Sequence, residues 1–114
     1  MIEYTDRSAL FKVLGEPIRL QILDILSGGE MCACDILQQL SISQPTLSHH
    51  MKALAATGWV NVRRKATWMH YSLNRDNIDK LHQFLIELTT PKETVVSRVS
   101  CTTCDCCEEN QHEA

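Results

Sequence analysis

Six of the 114 residues are cysteine, and they fall in two groups. Cys32 and Cys34 make a Cys-x-Cys pair. Cys101, Cys104, Cys106 and Cys107 make a Cys-x-x-Cys-x-Cys-Cys cluster near the C-terminus. Thiolates are the preferred ligands of soft, thiophilic ions, so both groups are candidate metal or metalloid sites. The opening residues, Met1 to Asp6, lack the basic start and apolar stretch of a signal peptide, which points to the cytoplasm. There, cysteines serve metal binding or redox chemistry more often than a disulfide framework. No run of 18 apolar residues exists, so no membrane partner is expected.

The second chemistry is electrostatic. The net charge of -3 argues against a polyanion partner, but its distribution argues for one. Residues 1–42 sum to -3 and residues 76–114 to -5, whereas residues 43–75 sum to +5 without a single acidic side chain. That window holds Lys52, Arg63, Arg64, Lys65 and Arg75, with His49, His50 and His70. A block of one sign sets up a local positive potential whatever the whole-chain sum. A solvated basic surface is the plainer explanation, but a 33-residue acid-free stretch in a chain with 14 acids favours a polyanion partner.

The elements that position these groups follow from periodicity. Leu10, Phe11 and Leu14 mark a first helix over about residues 4–14, stopped by Gly15. Pro17 suits the opening of a second helix, with Ile18, Ile22, Ile25 and Leu26 as its apolar stripe and Gly28-Gly29 as its end. A short third helix holds Ile36, Leu37 and Leu40, with both cysteines of the pair at its start. Ser43 is placed to cap a fourth helix, whose first turn tolerates Pro45 because those amides have no partner within the helix. Leu47, Met51 and Leu54 face inward there. The helical angle puts Ser48, His49 and Lys52 outward and His50 beside the buried stripe.

Period two then takes over. Val60 and Val62 alternate with Asn61 and Arg63, and Met69, Tyr71 and Leu73 with Trp68, His70 and Ser72. This predicts a β-hairpin with the basic tip Arg64-Lys65-Ala66-Thr67. A last helix over about Asp76 to Leu88 carries Ile78, Leu81, Leu85 and Leu88 as a short heptad seam. Residues 1–90 therefore read as one domain, mainly α with a small β-hairpin, and residues 91–114 as a mobile, acidic, Cys-rich tail.

Two short helices, a tight turn and a basic-tipped hairpin describe a winged helix-turn-helix. Ser43, Gln44, Thr46, Ser48 and His49 are candidate contacts to base edges or phosphates, the helix N-terminus favouring phosphate. Gln44 suits an adenine edge, and Lys52, Arg63, Arg64 and Lys65 suit backbone phosphates.

Glu30-Met31-Cys32-Ala33-Cys34-Asp35-Ile36-Leu37, followed by Ser43-Gln44-Pro45-Thr46-Leu47-Ser48-His49-His50-Met51-Lys52-Ala53-Leu54, closely resembles the ArsR/SmtB family of metal-sensing repressors. Within it, the arsenical-resistance operon repressors are the nearest in pattern, and the wing residues Trp68 to Leu73 also fit. The likeness spans about residues 5–90. It implies a homodimer on two-fold-related double-stranded operator DNA, which controls its own operon and lets go when an inducer binds. The first and last helices would form the dimer interface, through Leu10, Ile78, Leu81, Leu85 and Leu88.

The resemblance assigns the inducer to Cys32 and Cys34. Residues two apart do not share a helical face, so chelation by both is expected to distort the first turn of the third helix. A helix N-terminus should also favour their thiolates. Many arsenical repressors supply a third sulfur three residues after the second cysteine, and here that position is Leu37. The tail cysteines Cys101, Cys104, Cys106 and Cys107 are candidates for the missing ligand. Related cadmium and lead sensors add N-terminal cysteines, which residues 1–31 lack, so arsenite or antimonite is the expected inducer, with cadmium or lead second. Asp76, Asp79, His82 and Glu87 do not match the spacing of the family's zinc site on the last helix.

Three other readings compete. A thiol oxidoreductase using Cys101 and Cys104 lacks the strand–helix setting such pairs need. A zinc module built on the tail is weakened by the adjacency of Cys106 and Cys107. An oxidation sensor would keep the fold but replace the inducer by thiol oxidation. No enzymatic activity is expected.

Overall fold

The computed structural model describes residues 4–92. The order is α1 (Tyr4–Val13), α2 (Pro17–Leu26), β1 (Met31–Cys32), α3 (Ala33–Gln38), α4 (Gln44–Ala56), β2 (Val60–Lys65), β3 (Trp68–Leu73) and α5 (Arg75–Thr89). Pro17 opens α2, and Ser43 caps α4 by accepting from the Thr46 amide at 3.3 Å. The chain between α3 and α4 is short, as a helix-turn-helix requires.

A single core gathers Ile22 and Leu26 from α2, Ile36 from α3, and Leu47, Met51 and Leu54 from α4. Tyr71 of the hairpin and Ile78 and Leu81 of α5 complete it. Trp59 ties the hairpin base to α1: its indole N–H donates to the Leu10 carbonyl at 2.9 Å, and Phe11 meets the ring edge-on. Among the described residues, no buried side-chain nitrogen or oxygen lacks a hydrogen-bond partner.

The sheet has a strand beyond the expected hairpin. β1 pairs antiparallel with β3, Met31 opposite Tyr71 and Cys32 opposite His70, giving the order β1-β3-β2. Two residues show no period, so this strand exists only through its partner. The hairpin is also tighter than expected. Arg64 and Lys65 are the last residues of β2, which leaves Ala66 and Thr67 as the turn, with Ala66 at φ 60°. That is the left-handed conformation two-residue hairpin loops demand. Val62 lies on the same face of β2 as Val60 but is 40% exposed, where the wing projects beyond the core.

At the base of the wing, Gly58 has φ 85°. Asn74 caps α5 by accepting from the Asn77 amide, and Asn77 in turn donates from Nδ2 to the Gly58 carbonyl at 3.1 Å. This network fixes how α5 leaves the wing.

Candidate thiol site and nucleic-acid interface

Cys32 and Cys34 do not both lie on a helix. Cys32 ends β1 and is the N-cap of α3, with φ -79° and ψ 158°, while Cys34 sits inside the first turn. The extended backbone at Cys32 swings its side chain toward Cys34, and the two sulfurs stand 2.9 Å apart. The expected need to unwind α3 before both thiols reach one ion is therefore corrected: the strand–helix junction already brings them together. Two bonds of about 2.3 Å at a tetrahedral angle hold sulfurs about 3.8 Å apart, so seating an ion calls for a shift of under about 1 Å.

Cys34 is exposed and Cys32 half-buried. A carboxylate oxygen of Asp35 joins the two sulfurs, the three ligand atoms lying within 4.8 Å of one another. In the sequence, adjacency to the pair is the only sign of Asp35 as a donor. This two-sulfur, one-oxygen set fits a thiophilic ion. The expectation of easily ionised thiols fails at Cys34, whose pKa is raised. Its hydrogen bond with Cys32 contributes most, followed by desolvation and then by the negative charges of Cys32 and Asp35. A six-residue helix does not outweigh these neighbours. Leu37 lies one turn beyond Cys34, where a third sulfur would stand. Cys101, Cys104, Cys106 and Cys107 lie outside the described residues.

Beside Cys34 opens a cleft of about 230 Å³, lined among others by Leu37 of α3, Gln44 and Ser48 of α4, and Trp68 and Met69 of β3. The thiol pair thus borders the same space as the exposed face of α4. On that face Gln44, Ser48, His49 and Lys52 are all solvent-exposed. Ser43 and Thr46 are exposed too, but the Ser43 hydroxyl is engaged in the cap and donates to Thr46 Oγ1 at 2.9 Å. His50 points the other way. Its Nδ1 accepts from Arg19 Nε at 3.0 Å, while the same guanidinium donates to the Val13 carbonyl and pairs with Glu16. Burial first, and then the Arg19 charge, lower the His50 pKa, which keeps the ring neutral as an acceptor.

Arg64 and Lys65 are exposed on the wing. Arg63 is not free: its guanidinium makes a two-pronged pair with Glu30, at 2.7 and 3.0 Å. Glu30 immediately precedes β1, so the pair ties the wing to the thiol strand. The charge-assisted bonds from Arg63 lower the Glu30 pKa and raise that of Arg63.

Of the expected interface residues, Ile78 and Leu81 are buried inside the protomer and have little surface left for a partner. Leu10 is half-buried against the core. Leu85 and Leu88 are 40% and 47% exposed, and Ile86 and Tyr4 add to the exposed apolar surface of the terminal helices. The four positions of the heptad seam therefore divide into a buried pair and an exposed pair.

The profile of the family described as "Bacterial regulatory protein, arsR family" matches residues 16–62. An arsenical resistance operon repressor of Staphylococcus xylosus is 45% identical over 89 residues, covering 78% of this chain and 86% of that protein. The chain belongs to the ArsR family. A second arsenical resistance operon repressor, from Staphylococcus aureus, is 40% identical over 97 residues, covering 85% of this ArsR-family chain and 93% of its own. The homodimeric winged helix-turn-helix DNA-binding domain of Mb0332 from Mycobacterium bovis, solved by NMR, superposes with a TM-score of 0.62 at 25% identity. That match covers 82% of this chain and 89% of the other. The fold expected from the sequence is thus the observed one, and the protein is an ArsR-family transcriptional repressor rather than an enzyme. No helix among the described residues is long and apolar enough to cross a membrane.

Proposed function

We propose that this repressor works in the cytoplasm as a homodimer on operator DNA of an arsenic-resistance operon, and that trivalent arsenic or antimony releases it by binding Cys32 and Cys34. The observation that carries the reading is the meeting of two thiols, 2.9 Å apart, at the β1–α3 junction. The exposed polar face of α4 and the cations Arg64 and Lys65 supply base-edge and phosphate contacts. The exposed apolar side chains of α1 and α5 supply a surface for the second protomer.

Release follows from what the thiols are attached to. Cys32 is paired with His70 on the wing strand β3, and Cys34 is rooted in α3, the first helix of the helix-turn-helix. Spreading the two sulfurs from 2.9 Å to the wider separation that a shared ion imposes alters the angle at which β1 enters α3. The wing and α4 then lose their common alignment on the DNA.

The test is fluorescence anisotropy of the reduced protein on its own promoter DNA, titrated with arsenite, antimonite, cadmium, lead and zinc. Release at lowest dose by arsenite and antimonite, lost in Cys32→Ser and Cys34→Ser, is the expected outcome. Release by cadmium or lead at far lower dose would overturn the choice of ion and leave the site standing. DNA binding that no ion relieves would remove metalloid sensing altogether.

A further inference from the structure

The thiol pair leaves a valence of the proposed inducer unspoken for, and the cleft next to Cys34 has the character to receive what that valence carries. A trivalent arsenic bound by two sulfurs keeps one further substituent. Asp35 offers an oxygen near the pair, but Leu37, Trp68 and Met69 line the cleft with apolar surface. Leu37 and Cys34 are three apart on one helix, a spacing that puts their side chains on a common face. Trp68, 56% exposed at the hairpin tip, belongs to the wing and not to the core, yet it lines this cleft. A cavity of ~150 Å³ lined by apolar side chains accommodates a benzene ring. The cleft, at about 230 Å³, is large enough for one.

We propose that the cleft between α3, α4 and β3 is a binding subsite for the organic substituent of a trivalent arsenical or antimonial held by Cys32 and Cys34. The inference rests on the reading of that pair as the inducer site and narrows the class of inducer. In water such a compound carries one carbon substituent and two hydroxyls. Two arsenic–oxygen bonds break and two arsenic–sulfur bonds form. The two thiol protons leave with the hydroxides as two waters, arsenic stays trivalent, and the carbon–arsenic bond is untouched. Inorganic arsenite reacts in the same way but keeps a hydroxyl, which gains nothing from Leu37, Met69 and the Trp68 ring. Because Gln44 and Ser48 line the same cleft, an occupant also stands against the face of α4 offered to DNA.

The experiment compares phenylarsine oxide with arsenite on the full-length chain with Cys101, Cys104, Cys106 and Cys107 replaced by serine, so that only the pair responds. The readout is the ratio of the two concentrations that half-release promoter DNA in anisotropy, which cancels any change in DNA affinity itself. Partial burial of a phenyl ring predicts a ratio on the order of tenfold in favour of the phenyl compound. Trp68→Ala should reduce that ratio severalfold. Leu37→Cys, which offers arsenite a third sulfur, should reverse it. A ratio near one in the parent, or a ratio that neither substitution moves, overturns the subsite while leaving the thiol pair as inducer site. If neither compound releases DNA and neither is retained by the protein, the inducer reading falls and the subsite falls with it.

Discussion

Replacing Glu30 by glutamine should tighten DNA binding, although Glu30 belongs to no expected interface. Arg63 was expected to hold a phosphate, yet its guanidinium is spent on the Glu30 carboxylate through bonds of 2.7 and 3.0 Å. Arg63 lowers the Glu30 pKa, so the pair stays ionised at neutral pH. Glu30→Gln removes the opposing charge and leaves an exposed guanidinium on the same wing as Arg64 and Lys65. Each new phosphate contact adds about 0.9 to the slope of log K against log salt, and at ~0.15 M it multiplies the binding constant about fivefold relative to 1 M. A dimer has two wings, so the gain is about 30-fold with a slope steeper by ~1.8. The assay is anisotropy on promoter DNA over a salt series, with Arg63→Ala alone and combined with Glu30→Gln. Arg63→Ala alone should cost little, and the double variant should lose the gain. Unchanged affinity and slope in Glu30→Gln would refute the reasoning, as would a loss in Arg63→Ala as large as one full phosphate contact per wing.

Other outcomes follow from the core and its joints. Gly58→Ala meets both a φ of 85° and a Cβ position 2.5 Å from Asn77 Nδ2, so it should cost about 1–3 kcal/mol in urea unfolding; an unchanged midpoint would count against the Gly58–Asn77–Asn74 network. His50 is held neutral, with its pKa below the unfolded value of about 6.5. The unfolded chain therefore takes up this proton first as pH falls. Stability should be complete above about 6.5 and decline from there to the depressed native value, and His50→Gln should flatten that part of the profile. Arg19→Ala strips the His50 Nδ1 of its donor, and a loss of about 1–3 kcal/mol is expected in the same assay. Leu85→Glu with Leu88→Glu should yield a folded monomer with weakened operator binding, seen by light scattering and circular dichroism; a persistent dimer would move the interface elsewhere.

Much of this molecule is legible in one dimension because local chemistry speaks for itself. Pro17 at a helix start, the Ser43 cap, the inward stripe of Leu47, Met51 and Leu54 and the turning away of His50 follow from helical geometry. The charge block and the two cysteine groups need no coordinates either. Tertiary structure alone decided the rest. β1 is two residues long and exists because β3 is beside it, and that strand sets the Cys32 backbone so that its sulfur meets that of Cys34. Arg63 and Glu30 lie 33 residues apart, and no period in the sequence connects them. In α5, Ile78 and Leu81 share a seam with Leu85 and Leu88, but only packing shows that the first pair serves its own core. The division has one physical cause. Helix caps and buried stripes are decided within a few residues of themselves, whereas a strand's partner, a cation's counter-ion and the reach of a thiol are decided by whatever the chain brings back alongside.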